Sequence, residues 1–176
     1  MSKVGARREH RAGWWITAGC FAVVAAVFAL TPGAADFGAI ARIKLRAPDL
    51  APLFAQSLLV QFHVVTVAIA LVLGPVQFAL PKGTAAHRVL GWTWSLSMYA
   101  TAIATLFIRD MNHGQFSSIH IFSLMAIIGL PLAIWAARKG RIAAHQRAMI
   151  GLYIGLVIAG VTAIAPGRLV WDMFFR

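Results

Sequence analysis

Four histidines stand in this chain at intervals that repeat. His63 is followed by Lys82-Gly83, His87-Arg88, Gly91 and Arg109, and His120 by Lys139-Gly140, His145, Arg147, Gly151 and Arg168. His63 precedes Lys82 by 19 residues, and His120 precedes Lys139 by 19. The interval from His63 to His87 is 24 residues and that from His120 to His145 is 25, so one additional residue falls in the second loop. Neutral imidazole is a common metal ligand. Two imidazoles from facing helices make six-coordinate haem iron, a state suited to electron transfer rather than oxygen binding. The spacing establishes symmetric imidazoles. It leaves open whether they hold metal or belong to a duplicated hairpin in which they serve structure.

The elements that carry them are apolar. Of 176 residues, 60% are hydrophobic, more than one soluble core of this size can hide. Lipid is the alternative solvent, and there a helix needs roughly 20 mostly apolar residues to span. Five runs meet that length, near Trp14–Thr31, Leu53–Leu80, Val89–Ile108, Ser118–Ala137 and Met149–Ala165. They do not alternate in the way barrel strands do. The expectation is an all-α integral membrane protein with five transmembrane helices. Residues 1–52 would hold a basic tail, an anchor helix and an interfacial segment, and residues 53–176 a four-helix bundle of two repeated hairpins. Short loops at Pro81-Lys82-Gly83-Thr84 and Arg138-Lys139-Gly140-Arg141 force antiparallel neighbours. The first run also resembles a signal peptide, but it is longer than the usual apolar region of one.

The formal net charge of +11 would suggest nucleic acid in a soluble protein. Here the charges lie at span ends, so topology accounts for them and no nucleic-acid partner is expected. Lys3, Arg7, Arg8, Arg11, Lys82, Arg88, Arg138, Lys139, Arg141 and Arg147 share one face. Positive-inside reasoning makes that face cytoplasmic, with the N-terminus inside a bacterial cytoplasmic membrane. The opposite face carries Arg42, Lys44, Arg46, Arg109, Arg168 and Arg176 with four aspartates.

Depth then sorts the histidines. Nineteen helical residues span about 28 Å, so His63 and His120 share an outer layer. His87 and His145 share an inner one beside the loops. Across the repeat axis, His63 would face His120 and His87 would face His145, giving two candidate metal sites. Propionates of a haem need cations, which Arg109 and Arg168 offer outside and Arg88, Arg147 and Lys139 inside. The bland reading of His87 and His145 is a solvated loop histidine. For His63 and His120 it is a hydrogen bond to Gln61, Ser57, Ser123 or a carbonyl. His113 and His10 have no partner in the repeat. Cys20 is the only cysteine, which excludes an internal disulfide and a thiolate metal cluster. Gly-rich phosphate loops and the common hydrolase motifs are absent. No carboxylate falls within an apolar run, which argues against a carboxylate-driven pump or transporter.

The His-Arg-x-x-Gly start of the third run (His87, Arg88, Gly91), His145 with Met149, and Arg168 resemble an uncharacterised family of bacterial predicted membrane proteins, over about Gln56 to Arg168. That likeness implies no activity. One histidine on each of four successive helices also resembles the transmembrane di-haem cytochrome b superfamily and the haem A synthase bundle. Carried over, the likeness implies that His63 with His120 ligates one haem b and His87 with His145 another. In those families the ligands lie deeper than His87 and His145 do here. The function expected is a b-type haem protein moving electrons in the membrane, linked to a quinol. The rival expectation is an accessory or assembly subunit of a larger respiratory or photosynthetic membrane complex.

Overall fold

The computed structural model describes residues 47–108, 120–164 and 168–175. The basic tail, the expected span at Trp14–Thr31, most of the interfacial segment, Arg109 and His113 lie outside the described residues. Every regular element among the described residues is helical: α1 (Ala51–Phe54), α2 (Leu58–Ala79), α3 (Ala85–Phe107), α4 (His120–Arg138), α5 (Ile142–Thr162) and α6 (Leu169–Phe174).

The expected run Leu53–Leu80 is divided at Ser57. That residue is extended (ψ 152°), and its hydroxyl accepts from the Val60 N–H at 3.5 Å, which starts α2 afresh. The helix stops at Leu80, which is extended before Pro81. Its last carbonyls have no intrahelical donor. Lys82 Nζ supplies one, donating to the carbonyls of Gln77, Phe78 and Leu80 at 2.9, 2.6 and 2.9 Å. A cation here also complements the negative helix end. The repeated Lys-Gly pair marks both turns, with Gly83 and Gly140 at φ 79° and 71°, a left-handed backbone that glycine adopts without strain. Thr84 then caps α3 by accepting from the His87 N–H at 3.1 Å.

α2 packs on α3, α3 on α4, and α4 on α5, with a thinner contact between α5 and α2. At one end of the group, α1 packs on α6, and the Asp49 N–H donates to the Met173 carbonyl at 3.0 Å. The core joins Ala70, Trp94, Met98, Ala102, Ala126, Leu130 and Leu156. Much of the remaining interior is small or polar: Thr66, Ser95, Ser97, Thr101 and Ser123 are buried, and so are Ala133 and Ala136. The large apolar side chains point outward. On α2 the exposed stripe is Phe62, Val65, Ile69, Val72 and Val76; on α4 it is Ile121, Leu124, Ile128, Leu132 and Trp135. Steps of three and four place each stripe on one helix face. In water such faces would aggregate; in lipid they are the favourable surface.

Three helices, α2, α4 and α5, are long and apolar enough to cross a membrane. The expected run at Val89–Ile108 falls in α3, which is not among them. The reason is local: buried Ser95, Ser97 and Thr101 lower its average hydropathy, while Val89, Trp92, Leu96, Ile103 and Phe107 face outward as on the other helices.

Two prolines interrupt the helical hydrogen bonding, Pro75 in α2 and Pro131 in α4. Pro75 has no N–H for the Leu71 carbonyl four residues earlier. The Tyr153 hydroxyl of α5 donates to that oxygen at 3.2 Å. Its ring fits because residue 74 is glycine, where a Cβ would collide with it, and Phe78 meets it edge-on at 5.2 Å. Tyr153→Phe keeps the ring and removes the donor, so it should lower stability by about 0.5–1.5 kcal/mol. In a Pro75→Ala background the restored N–H bonds Leu71 and the same substitution should cost almost nothing. Thermal melts of the four proteins in one detergent measure this coupling, and equal costs in both backgrounds would exclude it.

Candidate functional site

A cavity of about 270 Å³ lies at the end of the helices away from the two Lys-Gly turns, and His63 and His120 both line it. Its wall draws on all four long helices and on the start of α6. α2 and α4, which carry the two histidines, make no direct backbone approach to each other, so the two residues border the cavity from helices that are not neighbours. Room comes from small residues on α5, where Gly151, Gly155, Ala159 and Gly160 form part of the wall. At Gly151 and Gly160 an added Cβ would meet nothing within 4 Å. The lining is mainly apolar, and its polar members include Thr101, Thr105, Ser123 and Arg168. Burial holds the Arg168 guanidinium below its usual pKa.

A ladder of hydroxyls orients His63. Thr105 Oγ1 donates its single proton to the Thr101 carbonyl at 2.8 Å. Its contact with His63 Nδ1 at 3.2 Å must therefore be donated by the imidazole. Nδ1 carries the proton, and Nε2 of neutral His63 keeps a lone pair. One turn along, Thr101 Oγ1 donates to Thr66 Oγ1 at 2.7 Å, and Thr66 donates to the His63 carbonyl at 2.9 Å. Two rungs thus tie α2 to α3 at the cavity. This ladder was not anticipated from sequence, although Thr101 and Thr105 at one-turn spacing, and Thr66 three residues after His63, carry its signal. His120 is buried, at 5% exposure.

His87 and His145 lie at the other end, in the first turns of α3 and α5. His145 Nδ1 meets the Ala133 carbonyl at 3.0 Å, an oxygen that only accepts, so Nδ1 is again the protonated nitrogen. The His87 carbonyl accepts from Gln77 Nε2 at 2.6 Å, while His87 Nδ1 is buried with no hydrogen-bond partner among the described residues. His145 is near enough to bear on the charge of His87. Of the cations expected to serve haem propionates, Arg168 lines the cavity and Arg109 lies outside the described residues. Arg88 donates to the Gly83 carbonyl at 2.8 Å, and Arg147 and Lys139 are exposed at the loop end. No group of three or more His, Cys, Asp or Glu side chains converges among the described residues. The two histidine pairs are therefore separate, each with two imidazoles.

All-helical architecture, outward apolar stripes and three helices of membrane-crossing length define a helical membrane protein. The chain belongs to the family described as predicted membrane protein (DUF2306), whose model matches residues 60–175. No curated protein and no solved structure matches it. The family segment contains all four repeated histidines, both turns and Arg168.

His87 precedes the apolar run of α3. Its pKa is lowered by desolvation first, then by the charges of Lys82 and His145. The folded protein thus resists a proton that the unfolded chain accepts near pH 6.5. Stability contributed by neutral His87 is complete above that value and is lost as pH falls from it toward the folded pKa. Histidine NMR should place the His87 midpoint below 6.5, and His145→Gln should raise it. A midpoint unmoved by that substitution would separate the two rings.

Proposed function

We propose that the chain is a membrane electron carrier that holds one haem b between His63 and His120. The observation that carries this reading is the convergence of two imidazoles, from opposite helices, on one apolar cavity with a guanidinium in its wall. The donor set suits the group. Neutral imidazole with its other nitrogen hydrogen-bonded is the usual form of a metal-ligating histidine, and Thr105 provides that bond for His63. Arg168 is the residue to pair with a propionate, and Arg109 is offered for the same work. The cavity of about 270 Å³ lies just below the ~300–1,000 Å³ range of small-molecule sites, so a tetrapyrrole enters only if the helices around it move apart. When bound, haem would supply a one-electron couple between Fe(II) and Fe(III). The chain's own part is to ligate through His63 and His120, to fix the His63 ring through Thr105, and to keep water from the iron with the apolar wall.

Around this site the proposed architecture is a bundle of two helical hairpins, α2–α3 and α4–α5. α3 crosses the bilayer from Val89 onward, and residues 14–31 form a fifth span. The cationic turns face the cytoplasm by the positive-inside rule, in a bacterial cytoplasmic membrane. A quinol is the electron donor that a lipid-soluble supply would provide. His87 and His145 are kept out of the haem count because the cavity on which this reading rests includes neither of them.

An oxidised and a dithionite-reduced spectrum of the purified protein, with a pyridine haemochrome assay, tests the reading. About one haem b per chain is expected. His63→Ala and His120→Ala should each remove most of it, and Gly151→Phe should do so by filling the cavity with both ligands intact. A stoichiometry near two would bring His87 and His145 back as ligands. A colourless protein, expressed with ample haem, would end the electron-carrier reading in favour of an accessory subunit of a larger membrane complex.

A further inference from the structure

The turn end of the helices carries charge of one sign. Lys82, Arg88, Arg138, Lys139, Arg141 and Arg147 are all exposed there. The acids among the described residues are Asp49 and Asp172, both in the α1–α6 corner at the opposite end. Part of the positive charge is used internally, since Lys82 caps α2 and Arg88 reaches the Gly83 carbonyl. The side chains of Arg138, Lys139 and Arg147 make no hydrogen bond or ion pair among the described residues. They follow directly on an apolar face. Leu132 and Trp135, both exposed, lie within two turns of Lys139, and the Arg141 guanidinium sits over the Trp135 ring at 5.3 Å. Exposed tryptophan is the residue of the headgroup level.

We propose that this face binds the phosphate headgroups of anionic phospholipids, with the cations of the second turn taking the phosphate and the α4 stripe taking the acyl chains. Two features select a lipid over other polyanions. The cations adjoin apolar surface rather than polar surface, and Trp135 sets their depth at the boundary. A soluble acidic peptide or polynucleotide would use the charge and leave Leu132 and Trp135 uncovered. The inference is independent of haem.

The full chain in a neutral detergent, titrated with phosphatidylglycerol or with phosphatidylcholine and followed by native mass spectrometry, tests it. Phosphatidylglycerol should be retained at least about tenfold more strongly, in a manner that weakens with salt, since each surface cation contributes about a fivefold factor. Arg138→Gln/Lys139→Gln/Arg147→Gln should lose most of this preference with its helical circular dichroism unchanged. If that variant does not fold, Arg147→Gln alone should show about a fivefold loss. At matched ionic strength, inorganic phosphate should displace the lipid no more than chloride does. Equal retention of the two lipids, a variant that binds like the parent, displacement by inorganic phosphate beyond that by chloride, or tighter binding of an acidic peptide or polynucleotide would each overturn the proposal.

Discussion

The Leu71 carbonyl has no donor in its own helix, because Pro75 stands where the N–H should be. In water a solvent molecule would supply one. Within an apolar solvent the bond must come from protein, since an unpaired backbone group costs several kcal/mol there. Tyr153 crosses from α5 to provide it, Gly74 admits the ring, and Phe78 braces it. Trp94 adds a second bond across helices one residue earlier, donating Nε1 to the Ala70 carbonyl at 3.0 Å. These two bonds fix α3 and α5 to the same turn of α2. The thin α2–α5 seam is thus held by a specific polar contact where packing area is small.

The same constraint explains why polar residues face inward and large apolar ones outward. Lipid gives no driving force for burying leucine against leucine, so contact between helices relies on small side chains and on hydrogen bonds across them. Alanines let the helices approach, and the Thr66–Thr101 and His63–Thr105 rungs link α2 to α3. The ladder that stabilises the helix pair also sets the protonated nitrogen of His63. Stability and site chemistry therefore share atoms, and Thr105 cannot change without changing the imidazole it holds. Where small residues recur on one side of α5, at Gly151, Gly155, Ala159 and Gly160, packing leaves space, and that space is part of the cavity.

The repeated Lys-Gly pair made the two helical turns legible, because a left-handed glycine follows the lysine at each. His63 and His120 line one cavity, and His87 and His145 stand together at the other end. Average hydropathy leaves α3 outside the helices apolar enough to cross a membrane. The length of the run is visible, but a sum over residues cannot tell an inward serine from an outward one. The break at Ser57 was hidden because a single N-cap interrupts an apolar run without altering its composition. Tyr153 and the threonine ladder depend on which residues of separate helices meet, and no interval within one helix carries that. Arg168 was named from the repeat, whereas its place in the cavity wall depends on α6 turning back over the helix ends.

Equal spacing did not make the two histidine pairs chemically equal. The repeat gives each hairpin one imidazole at the cavity end and one at the turn. At the cavity end the surroundings are mainly apolar and the hydroxyl ladder orients the His63 ring. At the turn end, Lys82 and the partner imidazole both work against a proton on His87. A divalent cation would meet the same repulsion from the six exposed lysines and arginines around it, with no described carboxylate at that end to offset them. An anion meets attraction instead. One duplicated pattern has therefore produced two ends of opposite preference. In the proposed readings, an apolar group with a peripheral carboxylate occupies the cavity, and a phosphate at the membrane surface occupies the turns.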